Sequence, residues 1–420
     1  MAAAESRLPP SRVRLAAWAA AIIVCAALWL LAAHLLWRSS VPSGLRLPHI
    51  DETQLFGRAF LRRSSSYARF LEVERLLAIV TLLVVLALYA RHGQRLMRES
   101  AAGRVGTGMM LGMLGFALVW LAELPFDLVG VWWERRHHVS HQGYVAALIE
   151  SFIGLGGTFL FVSLALAVAM GVAGLTRRWW WALASPVFVG LALLSTFAGP
   201  YLVANTHPLR DPVVRADARA LARAEGEPRT PVLVQDVARS TTAPNAEAMG
   251  LGPTRRVILW DTLLDGRFSR REVGVVTAHE LGHLAHHHPL KRVGWLALFL
   301  IPAAALVALA TRGRGGLARA EAVPVALFVF IALELVTLPL WNVVSRRQER
   351  EADWSALRAT RDPSAARTAF ERLATTSLSD PDPPTWAYVL DADHPTIVQR
   401  IALVEAWRRG PTAAAAGGAR

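Results

Sequence analysis

At 420 residues, with 54% hydrophobic side chains and a mean hydropathy of +0.34, the chain is too apolar for an ordinary soluble protein. Its net charge of +13 raises nucleic acid as a partner, but the basic residues are almost all arginines scattered between apolar runs, with Lys291 the only lysine. No basic block alternates with aromatic residues, so membrane lipid is the expected partner of these charges and no nucleic acid is expected.

The apolar residues gather into seven runs. The first, Leu15–Trp37, is longer than the roughly 7–15 residues of a signal-peptide core and has no convincing cleavage site before Arg38, so an uncleaved anchor is expected. It holds the single cysteine, Cys25, which excludes an intramolecular disulfide and a cysteine-rich metal site. The second run, Leu76–Ala90, is short for a span. The others are Val105–Ala122, Ser151–Leu175, Trp179–Ala204, Val293–Ala310 and Ala322–Val344. Most reach the ~17–25 residues needed to cross a bilayer. A mainly α, multi-pass membrane protein of about seven transmembrane helices is therefore expected. Its first domain, 1–205, carries five spans. Its second, 206–420, includes a two-span hairpin at 293–344 and a disordered tail at 410–420.

Between the runs, residues 38–75 read as a soluble, partly helical connector. Glu123, Pro125 and Asp127 are expected to end the third span, and Trp132–Trp133 and Trp179–Trp181 to sit at headgroup level. Glu334, inside the last run, reads as a structural hydrogen-bond partner or as the wall of a wet interior. In the segment 206–292, Asp211–Glu225 has the pattern of an amphipathic helix, while Pro231–Val237 and Arg255–Trp260 read as short strands around a turn-rich connection, Pro244–Gly252.

The chemistry concentrates in the stretch that follows. Ser269 and Glu272 fit a capping box that opens a helix containing His279-Glu280-x-x-His283. Two imidazoles four residues apart differ by about 40° around a helix, so both can reach one metal ion. Glu280 then lies where a carboxylate can take a proton from activated water. The helix is expected to end near His288-Pro289. His286, His287 and His288 read as solvated residues of the helix end, with a ligand role for His286, one turn beyond His283, as the alternative. Two spans return the chain to the side it left, so a third ligand is to be sought after Val344.

There the chain reads Ser345-Arg346-x-x-Glu349-x-x-Ala352-Asp353. Together with His-Glu-x-x-His, this resembles the integral-membrane zinc metallopeptidases typified by the type I CAAX prenyl protease. Asn245-Ala246 with Arg256–Leu264 resembles that family's strand before the catalytic helix, and Asp393-His394-Pro395 with Arg400 its C-terminal element. The resemblance implies a zincin-like catalytic domain with a small β element and Glu349 as third zinc ligand, one ion being bound per chain. Two histidines, a carboxylate and water form a common catalytic zinc set. Glu351 is a rival to Glu349 but points to another face. Asp353, one turn beyond Glu349, suits a contact to a ligand imidazole. The resemblance further implies that His394 approaches the oxyanion of the substrate, with Arg400 helping there or pairing with a carboxylate. A strand beside the motif helix offers an edge to which an extended peptide can add, or simply packs under the helix; on the family resemblance, Asn245 and Ala246 are the expected substrate-binding residues.

The expected activity is peptide hydrolysis by a membrane zinc metalloendopeptidase acting on peptide or protein substrates, in membrane-protein processing or quality control. A heat-shock-type membrane metalloprotease of the wider family and a non-catalytic zinc-bearing scaffold are the alternatives. A site-2-type intramembrane protease is disfavoured, because Arg270, Arg271 and Glu272 leave the motif helix too short an apolar stretch to cross a bilayer. Arginine-rich, lysine-poor composition points to a bacterial plasma membrane. The family resemblance places the catalytic face in the cytoplasm, since loop arginines do not decide the orientation.

Overall fold

The computed structural model describes residues 12–95 and 102–410; the expected tail beyond residue 410 lies outside them. Helix α1 (Arg12–Leu36) belongs to a unit of its own, Met1–Arg38, and none of Ala19–Leu36 is buried. The second unit begins at Ser39. Its first residues form a strap in which Val41, Leu45, Leu47 and Ile50 pack on the core around Val275, Trp354 and Leu357.

Helix α2 (Glu52–His92) starts where the Asp51 carboxylate accepts the N–H groups of Thr53 and Gln54. It runs for 41 residues with one non-helical residue, Gly57, at φ 73°. Most of the expected connector is therefore helix, because Leu55 and Phe56 also bury against the core and continue into the apolar run without a break. The short second run is the far half of a helix long enough to cross a membrane.

Helix α3 (Gly103–Arg136) likewise passes through Pro125 instead of stopping there. Trp133 stacks on Phe70 of α2 at 4.0 Å, and its Nε1 donates to the Tyr67 carbonyl at 3.2 Å. This packing holds the extra turns and places Trp133 between α2 and α3. Helices α4 (Tyr144–Thr176) and α5 (Trp180–Ala198) are joined by one 3-10 turn at Arg177–Trp179, and Trp180 is buried. Among the described residues, six apolar stretches are long enough to cross a membrane, and one of them, Tyr144–Tyr201, folds as both α4 and α5. Each of the seven expected runs thus lies mainly in a helix, the fifth outlasting α5, which ends at Ala198.

The sheet has the order β1 (Thr206–Pro208), β2 (Val232–Gln235), β4 (Arg256–Trp260), β3 (Ala246–Met249). Its successive pairs are antiparallel, parallel and antiparallel. Strand β3 falls inside the expected turn-rich connection. It has no β-branched residue and is drawn into the sheet by pairing Ala246 with Leu259. Helix α6 (Pro212–Ala224) is capped by Asp211 and buries Ala218 and Ala222.

Helix α7 (Arg270–Ala285) lies on the sheet, with Leu281 and Leu284 against Val257 and Leu259. It stops three residues earlier than expected. His287 takes a left-handed conformation, φ 56°, and His288 opens α8 (His288–Ala310) with Pro289 in its first turn. Proline starts a helix here instead of ending one. Helix α9 (Val323–Thr360) is continuous from the last apolar run into the Ser345–Asp353 stretch. Glu334 is exposed on α9. Helices α10 (Pro363–Ser377), α11 (Thr385–Leu390) and α12 (Ile397–Arg409) complete the core around Trp354, Phe370 and Ile401.

Candidate metal centre

Helix α7 is fixed at its start by the expected capping box. Ser269 Oγ accepts from the Glu272 N–H, and the Glu272 carboxylate accepts from the Ser269 N–H at 2.6 Å. Arg372 of α10 also donates to Glu272. Helix α9 crosses α7 closely at Gly282. A Cβ there would lie 3.0 Å from Ser355 Cβ and 3.4 Å from Ala352 Cα, so small residues on both helices set their separation.

That crossing brings Glu349 against the two motif histidines. Its Oε2 is 3.1 Å from His279 Nε2 and its Oε1 is 3.4 Å from His283 Nε2, while the two Nε2 atoms are 3.1 Å apart. Donor atoms about 2.0–2.1 Å from a tetrahedral zinc ion lie roughly 3.3–3.4 Å from one another. The spacing therefore fits one ion, and the donor set of two imidazoles and a carboxylate suits zinc. His279, His283 and Glu349 are 7%, 6% and 2% exposed, so bulk water does not compete for these atoms. With the histidines deprotonated, two nitrogen lone pairs and a buried carboxylate converge on one point, an arrangement that a bound cation would satisfy.

The surrounding charges are arranged to match. Asp353 Oδ1 lies 2.8 Å from His279 Nδ1, and Arg400 of α12 holds Asp353 with two bonds of 2.9 and 2.6 Å. Arg400 in turn stacks on Phe370 at 4.2 Å. Burial works against a charged His279, but Asp353 and Glu349 outweigh it and raise the imidazole to about 10. His283 goes the other way. Burial dominates and lowers it to about 4, although Glu349 opposes the shift. Burial also raises Glu280 to about 7, with His279 pulling it down and Glu349 pushing it up. That value suits a group that must take and return a proton near neutral pH.

His394 is half-exposed and reaches the centre from the loop before α12, its Nε2 3.3 Å from Glu349 Oε2. Its Nδ1 is 2.7 Å from Asp393 Oδ1. Partial burial disfavours the charged ring, but the Asp393 bond and Glu349 raise its pKa overall. Asn245 is exposed at the start of the edge strand β3, and Ala246 is half-buried there.

The roles of Asn342 and Arg346 beneath the His394 loop, and of His288 beside His283, go beyond the sequence reading. Asn342, Arg346, Glu349 and Asp353 lie at spacings of four, three and four, which puts them along one face of α9. Arg346 donates to the carbonyls of Tyr388 and Ala392 and stacks on Tyr388, and Asn342 donates to those of Val389 and Leu390. Together they cap α11 and fix the approach to the His394 loop. This heptad-spaced polar face was the signal available in the sequence. His288, expected in solvent, is fully buried with its Nδ1 2.8 Å from His283 Nδ1. Glu351, off the ligand face as expected, is buried beside it.

Residues 208–408 match the family described as Peptidase family M48. The chain is 27% identical over 308 residues to an uncharacterized metalloprotease, YhfN, of Bacillus subtilis, covering 69% of this chain and 71% of that protein. It is 23% identical to a CAAX prenyl protease 1 homolog of Oryza sativa, over 70% of this chain and 73% of the relative. The crystal structure of S. mikatae Ste24p superimposes with a TM-score of 0.66 at 18% identity, covering 90% of this chain and 96% of that one.

Proposed function

We propose that the chain is a CAAX-prenyl-protease-like integral-membrane metallopeptidase, with residues 208–408 as its M48-like region, and that it cleaves peptide bonds with one zinc ion held by His279, His283 and Glu349. The observation that carries the assignment is the triangle of buried donor atoms, 3.1, 3.1 and 3.4 Å on its sides, beside Glu280. Zinc, when bound, polarises a carbonyl and makes water acidic enough to attack near neutral pH. The protein side chains supply the remainder. Glu280 accepts the proton of the attacking water and passes it to the leaving amine. His394, held by Asp393, donates to the oxygen that becomes negative as the carbonyl is attacked. Asp353 and Arg400 fix the ring of His279.

The substrate is an extended peptide that adds to the outer edge of β3, with Asn245 and Ala246 at the start of that strand. Helix α9 supports a membrane-associated substrate, because one continuous helix carries an apolar span and Glu349. Residues 1–205 act as the N-terminal membrane part and 206–420 as the peptidase part, which includes the two-span hairpin at 293–344. The role is membrane-protein processing or quality control at the cytoplasmic face of a bacterial plasma membrane. CAAX proteins are the substrates indicated by the names of the plant relatives.

Glu280→Gln tests the reading. The variant keeps the metal ligands and loses the base, so zinc content should equal that of the wild type while peptide hydrolysis falls by about 10³-fold or more. Wild-type turnover by a zinc-loaded Glu280→Gln preparation would remove Glu280 from the mechanism.

A further inference from the structure

The His283 ring has a second nitrogen that the proposed zinc site does not use, and its environment is unusual. If Nε2 offers its lone pair toward Glu349 and His279, the proton of the neutral ring sits on Nδ1. That nitrogen is 2.8 Å from the Nδ1 of His288. Only one proton fits between them. Two would clash, and none would set two lone pairs against each other. His288 must therefore accept at Nδ1 and carry its own proton on Nε2, which lies 3.0 Å from Glu351 Oε2.

Glu351 is held in turn. The backbone N–H of Ser40 in the strap donates to its Oε1, and Lys291 Nζ lies 3.4 Å from its Oε2. His286 stands 3.6 Å away, beyond hydrogen-bond reach. His288 is 0% and Glu351 3% exposed, so no bulk water can substitute for either partner. Every proton in the chain from His283 to the strap has one donor and one acceptor.

We propose that His288 and Glu351 are positioning residues for the metal ligand His283, forming a two-step relay whose last link is the Ser40 N–H. The relay fixes the tautomer and the tilt of the His283 ring, as Asp353 does directly for His279. Carboxylate support of a ligand imidazole typically changes metal affinity by 10–100-fold. A neutral histidine carries that support across one further residue. The proposal rests on His283 being a ligand, as read above.

The test is zinc affinity of the full chain in detergent, measured by competition with a chromogenic chelator, with the visible spectrum of the cobalt-substituted protein as second readout. His288→Leu should weaken zinc about 10–100-fold and alter the cobalt bands. His288→Gln should stay within a few-fold of wild type, because its amide can accept from His283 and donate to Glu351. Ser40→Pro, at an exposed site, removes the backbone donor to Glu351 and should weaken zinc by a few-fold; if His288→Leu does not fold, wild-type zinc affinity in Ser40→Pro would overturn the relay. Wild-type affinity and spectrum in His288→Leu, or equal losses in the leucine and glutamine variants, would overturn the relay. His283→Ala separates the two readings, since unchanged zinc affinity there would overturn the metal site itself.

Discussion

His279 and His283 stand four residues apart on one helix, yet their outer ring nitrogens are held from opposite ends of the chain. His279 meets a carboxylate directly, Asp353, which is clamped by Arg400 of the last helix. His283 meets a second imidazole, His288, and through it Glu351 and the strap that precedes α2. The short arm therefore places negative charge against its ligand, while the long arm places a neutral ring there. The directions of the pKa shifts follow, His279 rising to about 10 and His283 falling to about 4. A motif of five residues thus depends on α9, α12 and the N-terminal strap for its geometry, and the two ligands differ in electronic character although they share a helix.

The largest test of this contrast is removal of the short arm. Asp353→Ala strips His279 of its carboxylate and leaves Arg400 buried without a partner. Zinc affinity should fall by about 10–100-fold, with a loss of about 3–5 kcal/mol in stability from the unpaired charge. Chelator competition and thermal denaturation measure the two effects. An unaffected Asp353→Ala protein would mean that the direct carboxylate contributes no more than packing.

The second test is proton release. His279 must lose a proton to bind zinc at neutral pH, because its pKa lies near 10, whereas His283 is already neutral above about pH 4. A proton competes with the metal at one ligand only, so apparent zinc affinity should rise with pH at about tenfold per unit between roughly pH 5 and 9. A slope of two protons would show that the arms are alike.

The smallest effect is expected from a variant outside both arms. Arg346→Ala frees the carbonyls of Tyr388 and Ala392 and loosens the loop carrying His394. Zinc affinity should be unchanged while kcat/KM for a peptide falls by about tenfold, as expected when an oxyanion donor is misplaced rather than deleted. A parallel loss of zinc would join this loop to the ligand arms.

The two arms also differ in how far they could be read from the sequence. Asp353 is legible because it lies four residues beyond Glu349 on an uninterrupted helix, where spacing fixes the face. His288 is not, because the left-handed residue His287 breaks the periodicity between it and His283 and turns α8 back toward the site. The same reason covers the other surprises. Apolar runs are legible by length and hydropathy, but their helices extend well past them wherever aromatic packing or a cap outweighs a local stop signal. Examples are Pro125 with Trp133 on α3, and Asp51 at the start of α2. Strand β3 has weak intrinsic propensity and exists through pairing with β4, which local composition does not reveal.

The central claim is that His279, His283 and Glu349 hold one catalytic zinc ion. An anomalous difference map at the zinc edge from crystals of the full chain tests it most directly. The predicted result is a single peak about 2.0–2.2 Å from His279 Nε2, His283 Nε2 and a Glu349 oxygen. A peak elsewhere, or one bonded to Glu351 in place of Glu349, would contradict the account.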